Sequence, residues 1–143
     1  KSDSEIQSLE ELEGKTIAVQ ANSTVEKIFL HNMSPDIPKN YKLQTYRTVA
    51  EAFTALRKDY VDAVGGHEAT LLQYTSEYPG EYRYLNLSIY RSKLGVAFRK
   101  DADQAVADTL TQTLQEMSED GAIQQVLEDY HLDVSTNLYG GTE

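Results

Sequence analysis

Two short clusters carry the side chains of this 143-residue chain that could do chemistry. The first is Asn22-Ser23-Thr24, which follows an apolar run and precedes a helical pattern. Hydroxyls and free backbone N–H groups at a helix start suit a carboxylate or another anion. The plain alternative is a helix N-cap, a role open to the same residues in any protein. The second cluster is His67-Glu68, just after Gly65-Gly66. An imidazole beside a carboxylate is a candidate acid–base pair, but such work needs a positioned partner, and none is evident for either residue. The three histidines, His31, His67 and His131, have no i, i+4 or similar spacing, and there are no cysteines, so neither a metal site nor a cofactor is expected. The chemistry on offer is binding, and no catalytic residue is assigned.

The elements around the clusters read as strands alternating with helices. Thr16–Gln20 is a buried strand by its apolar run, after a polar, acidic lead-in with a short helix around Leu9–Leu12. Glu26 falls in the first turn of the next helix, whose apolar face is Val25, Ile28 and Phe29. Pro35 and Pro38 mark a loop from Met33 to Asn40, and Tyr41–Tyr46 alternates as a second strand. Thr48 with Glu51 makes a capping box for a helix striped by Val49, Ala52, Phe53 and Leu56. Tyr60–Val64 reads as a third strand and Glu68–Tyr74 as a short helix closed by Pro79-Gly80. Tyr82–Leu87 and Leu94–Phe98 read as further strands, the latter central by its apolar density. A long helix through Val106, Leu110, Leu114 and Met117 is interrupted at Asp120-Gly121 and resumes through Ile123, Val126 and Leu127. A polar tail follows, carrying Gly140-Gly141. This order predicts an α/β fold with a mostly parallel sheet flanked by helices. In such sheets ligands bind at the C-terminal strand ends, where Ala21–Thr24 and Gly65–Glu68 lie.

Composition narrows the function classes. The chain is 40% hydrophobic and 25% charged, close to an average globular domain. No apolar run approaches the roughly 18 residues that a membrane-spanning helix needs. The chain starts at Lys1 without a signal-peptide pattern and reads as an excised or processed fragment. Thirteen basic residues stand against 23 acidic ones, giving a net charge of −10. With no basic cluster, nucleic acid is excluded as a partner and anionic membrane surfaces are disfavoured.

Five segments in order then carry a resemblance: Leu9–Gln20 with Asn22-Ser23-Thr24, Thr48–Ala52 with Ala55-Leu56, Val61–Val64, Leu94–Lys100 and Met117–Gly121. Together they resemble the bacterial extracellular solute-binding proteins of family 3, the periplasmic amino-acid-binding type. The resemblance implies a two-lobed clamshell of which this chain is the second lobe plus the C-terminal helices. It divides the chain into a lead-in or hinge (1–13), a solute-binding lobe (14–100), helices that pack on a first lobe (101–132) and a tail (133–143). The partners implied are a small polar ligand, possibly carboxylate-bearing, a first lobe or a second copy of the chain, and a membrane permease or receptor parent. The location implied is extracytoplasmic, and the role is that of a transporter receptor or a sensor domain.

Residue by residue, the resemblance makes Asn22, Ser23, Thr24, His67 and Glu68 the ligand-binding set. Asn22 stands where relatives carry glycine, and asparagine tolerates a positive φ. His67 stands where amino-acid-binding relatives carry the aspartate that pairs with the ligand ammonium. A neutral imidazole cannot take over that role, whereas Glu68 can if the register slips by one. Asp62 is implied to be a structural strand-end residue. Tyr90 and Arg91 precede a strand leading toward the hinge. Two other readings stay open: a lobe that has lost its ligand and binds protein, and a dehydratase of the same fold.

Overall fold

Side chains alternate along the first strand, β1 (Thr16–Gln20): Ile17 and Val19 turn to one side, Ala18 to the other, and all three are buried. A strand with both faces covered must lie inside a sheet with helices on each side. In the computed structural model, which describes residues 1–138, β1 is the middle of three parallel strands. β2 (Lys42–Tyr46) pairs along its whole length, Thr16 opposite Lys42 through Gln20 opposite Tyr46. On the other side β3 (Ala63–Val64) pairs with Ile17 and Ala18. The α/β, mostly parallel architecture expected from the sequence is present.

Helices α1 (Thr24–Leu30), α2 (Val49–Arg57) and α3 (Glu68–Glu77) follow the three strands in turn. Val25, Ile28 and Phe29 of α1 join Ile17 and Val19, with Ile6, Leu12 and Ile37 closing that core. Ala52, Phe53, Ala55 and Leu56 of α2 cover Ala18 on the opposite face, with Val61 and Tyr82. Phe53 stacks on Tyr74 of α3 at 4.2 Å and meets Tyr82 edge-on at 5.0 Å, so aromatic rings tie α2 to α3. The Thr48–Glu51 capping box is formed in full. The expected helix around Leu9–Leu12 is a 3-10 turn over Glu10–Leu12.

Several expected strands are absent or shorter. Tyr60–Val64 is strand only at Ala63–Val64, because its beginning is consumed in ending α2. The Asp59 N–H donates to Leu56 O and the Tyr60 N–H to Ala55 O, with Asp59 at φ 59°. That is a Schellman closure, and it leaves Tyr60 65% exposed. Tyr82–Leu87 forms no strand: Tyr82 is buried, and Arg83 fixes the segment through its side chain, donating to Ser4 O at 2.6 Å and Ile6 O at 2.5 Å. Leu94–Phe98 forms no strand either, and Leu94 is 95% exposed. A strand exists only through a neighbour's hydrogen bonds, and among the described residues this run has none in a ladder.

The chain divides into two compact units, Lys1–Ser92 and the stretch from Lys93 onward. The second is helical: α4 (Gln104–Glu119), α5 (Ala122–Asp129) and α6 (Val134–Asn137), with α4 packed on α5 and α5 on α6. Gly121 at φ 85° makes the expected break between α4 and α5. The expected polar tail instead begins with α6, capped by the Asp133 carboxylate on the Ser135 N–H at 2.8 Å. Gly140-Gly141 lies outside the described residues. Leu110, Leu114, Met117, Ile123 and Leu127 are half-buried, while Val106 and Val126 are exposed.

Candidate functional site

The register brings the C-terminal ends of all three strands to one edge of the sheet. The Ala21 N–H donates to Tyr46 O at 2.7 Å and the Gly65 N–H to Ala18 O at 2.8 Å, so the turns after β1 and β3 leave the sheet from neighbouring positions. Each turn delivers a helix start, α1 at Thr24 and α3 at Glu68. Gly65 sits in a tight place, since an added Cβ would stand 3.3 Å from Phe29, Val19 and Val25 side-chain atoms alike and would require them to give by a few tenths of an ångström.

In the first turn Asn22 adopts φ 60°, the left-handed conformation that its side chain tolerates. Ser23 caps α1, its Oγ accepting from the Glu26 N–H at 3.1 Å. A hydroxyl has one donor and two acceptor positions, so the O–H remains able to donate to an anion. Thr24, the first helical residue, is exposed. The Glu26 carboxylate folds back onto the Asn22 N–H at 2.6 Å. A carboxylate from the protein itself thus occupies one of the N–H donors of this turn. The sequence places Glu26 in the first turn but does not show this contact.

In the second turn His67 is the N-cap of α3, exposed, and makes no side-chain capping bond. Glu68 is half-buried and accepts from the Tyr84 hydroxyl at 3.4 Å. Burial first, and then the Glu68 carboxylate, push the Tyr84 hydroxyl above its ordinary pKa. Tyr84 is the functional candidate that sequence reasoning missed; its signal is its position two residues beyond the buried Tyr82. Asp62 is structural, its carboxylate accepting from the Thr16 N–H at 2.7 Å and joining β3 to the start of β1. Each of the three helices at this edge carries a glutamate in its first turn, Glu26, Glu51 and Glu68, which favours the helix dipole and makes the edge acidic. Tyr90 and Arg91 are exposed and lie outside this cluster.

Residues 1–137 match the family described as the periplasmic substrate-binding protein of phosphonate ABC transporters. The chain belongs to this family. Its members are binding proteins of an extracytoplasmic compartment, and among the described residues no helix is long and apolar enough to cross a membrane. Solved structures of the same fold include the second substrate-binding domain of a putative amino-acid ABC transporter from Streptococcus pneumoniae Canada MDR_19A. It is 23% identical at a TM-score of 0.69, with 91% of this chain and 57% of that one aligned. An ancestral arginine-binding protein, solved with arginine and with glutamine, is 28% identical at a TM-score of 0.67, over 91% of this chain and 56% of that one. The substrate-binding protein of an amino-acid ABC transporter is 25% identical at a TM-score of 0.63, over 91% and 56%. The chain spans little more than half the length of these structures. Among curated proteins none matches it.

Proposed function

We infer that this chain is one lobe of an extracytoplasmic receptor for a small polar solute, serving a transporter or a membrane sensor. The lobe proper is 14–100, after a lead-in or hinge at 1–13; the helices of 101–132 serve a first lobe, and 133–143 is a tail. The observation that carries the reading is the shared sheet edge, where the turns after β1 and β3 present two helix starts side by side. Asn22, Ser23 and Thr24 form the half that receives a carboxylate or related anion, with Glu26 swinging off the Asn22 N–H as it enters. Glu68 forms the half that receives an ammonium, with His67 beside it donating or accepting a hydrogen bond. An ion pair of that kind in a closing cleft gives orientation as well as affinity. One lobe covers one side of a ligand, so the chain alone binds weakly, at about millimolar concentration.

Thermal unfolding of the 143-residue chain against arginine, glutamine, methylphosphonate and simple amines tests this. A rise in midpoint for one class, reduced by both Ser23→Ala and Glu68→Gln, is the expected result. A flat response to the whole panel at tens of millimolar would sink the receptor reading.

A further inference from the structure

Residues 1–9 of the lead-in lie outside helix and strand, yet the stretch around them is held as firmly as core. Ile6 is 6% exposed and Leu12 7%, and both pack with Ile17, Val19 and Phe29. Peptide carbonyls that belong to no helix or ladder need donors of their own. Here the donor comes from far along the chain. Arg83 Nη2 donates to Ser4 O at 2.6 Å and to Ile6 O at 2.5 Å, and Nη1 donates to Gln7 Oε1 at 3.4 Å. Among the described residues the partners of Arg83 are carbonyl and amide oxygens, with no carboxylate. A guanidinium offers its donors in a rigid fork, and a charged donor makes a bond roughly twice as strong as a neutral one. The residues on either side hold Arg83 in place. The Tyr82 hydroxyl donates to Phe53 O of α2 at 3.4 Å, and the Tyr84 hydroxyl to Glu68 of α3 at 3.4 Å. Three consecutive side chains thus fasten three different elements.

We propose that Arg83 is a latch that makes residues 4–13 a fixed wall of the lobe, moving with β1 and α1. A hinge needs a few residues free to change φ and ψ without breaking contacts. Residues 4–13 do not meet that condition. Bending at Ser4–Gln7 would pull two carbonyls off the guanidinium, and bending at Glu10–Leu12 would lift Leu12 out of the core. The start of the lobe therefore moves from residue 14 back to Ser4, and any pivot for closing the cleft lies outside 4–13. That placing of the pivot rests on the receptor reading, whereas the latch itself does not.

Amide hydrogen exchange of the full chain, read peptide by peptide, tests the latch in the wild type, Arg83→Gln and Arg83→Lys. In the wild type, residues 4–13 are expected to exchange roughly a hundredfold or more slower than an unstructured peptide. Arg83→Gln is expected to speed exchange across 4–13 by roughly tenfold or more, while β1 and β2 change by less than about twofold. Arg83→Lys is expected to fall between the two, since one ammonium lacks the fork that spans both carbonyls. Wild-type exchange at the unstructured rate would overturn the fixed wall. Unchanged exchange in Arg83→Gln, or equal loosening of β1, would overturn the latch. If Arg83→Gln does not fold, nitrogen NMR of Arg83 in the wild type decides in its place. Two separate Nη signals are expected from a guanidinium held by its partners, and one averaged signal would overturn the latch. Slow, Arg83-dependent exchange at 4–13 with no thermal response to any solute would keep the latch and overturn the receptor reading that places the pivot.

Discussion

The two units of this chain treat apolar side chains differently. In Lys1–Ser92 Ile17, Ala18 and Val19 are at most 1% exposed between two layers of helix, whereas from Lys93 onward none of the described residues is buried. The helices of the second unit are supported by contacts of short range. Gln104, Gln112, Gln115, Gln124 and Gln125 each donate to a carboxylate four residues on. Such pairs contribute about 0.2–0.5 kcal/mol each, enough to favour a helix and too little to make a core. A helical pattern in sequence therefore says that a helix forms, not that its apolar face is covered.

The sharpest way to break this contrast is by truncation. Ile17→Ala should cost about 2–5 kcal/mol of urea-unfolding stability, while Leu110→Ala on half-buried α4 should cost under about 1 kcal/mol. Equal losses would mean that the second unit has a core after all. Next in size, Thr48→Ala removes one half of the α2 capping box and should lower stability by about 1 kcal/mol in the same assay. A negligible change would show that α2 is held by Phe53 and Leu56 alone. Smallest of all, Val96→Ser at a 64% exposed site should stay within about 0.5 kcal/mol. A larger loss would reveal that the Leu94–Phe98 run is covered in solution.

What the sequence made legible follows the same division between local and distant causes. The caps at Ser23 and Thr48, the positive φ at Asn22 and the stop at Gly121 each depend on a few neighbouring residues, and all are where the pattern put them. β1 was legible because its apolar run agrees with a covered strand, and β2 because its residues alternate, although none of them is buried. Tyr82–Leu87 and Leu94–Phe98 failed because pairing depends on which edge is within reach, and apolar density cannot report that. At the site, the helix starts were readable from turn chemistry. The Glu26 carboxylate on the Asn22 N–H needed the fold of the turn, and the Tyr84–Glu68 contact needed residues sixteen apart to be brought together.

The middle position of β1 also has a consequence for how the protein is made. Of the three described strands it is made first, yet its partners are β2 on one side and β3 on the other. Its β3 partner emerges roughly forty residues later, about 2–8 s at ordinary rates of translation. Through that interval Ile17-Ala18-Val19 has an unpaired edge and no complete cover, which is the state in which strands of different molecules associate. Conditions that slow synthesis or delay the arrival of Ala63-Val64 should therefore lower the yield of native protein without changing the stability of what does fold.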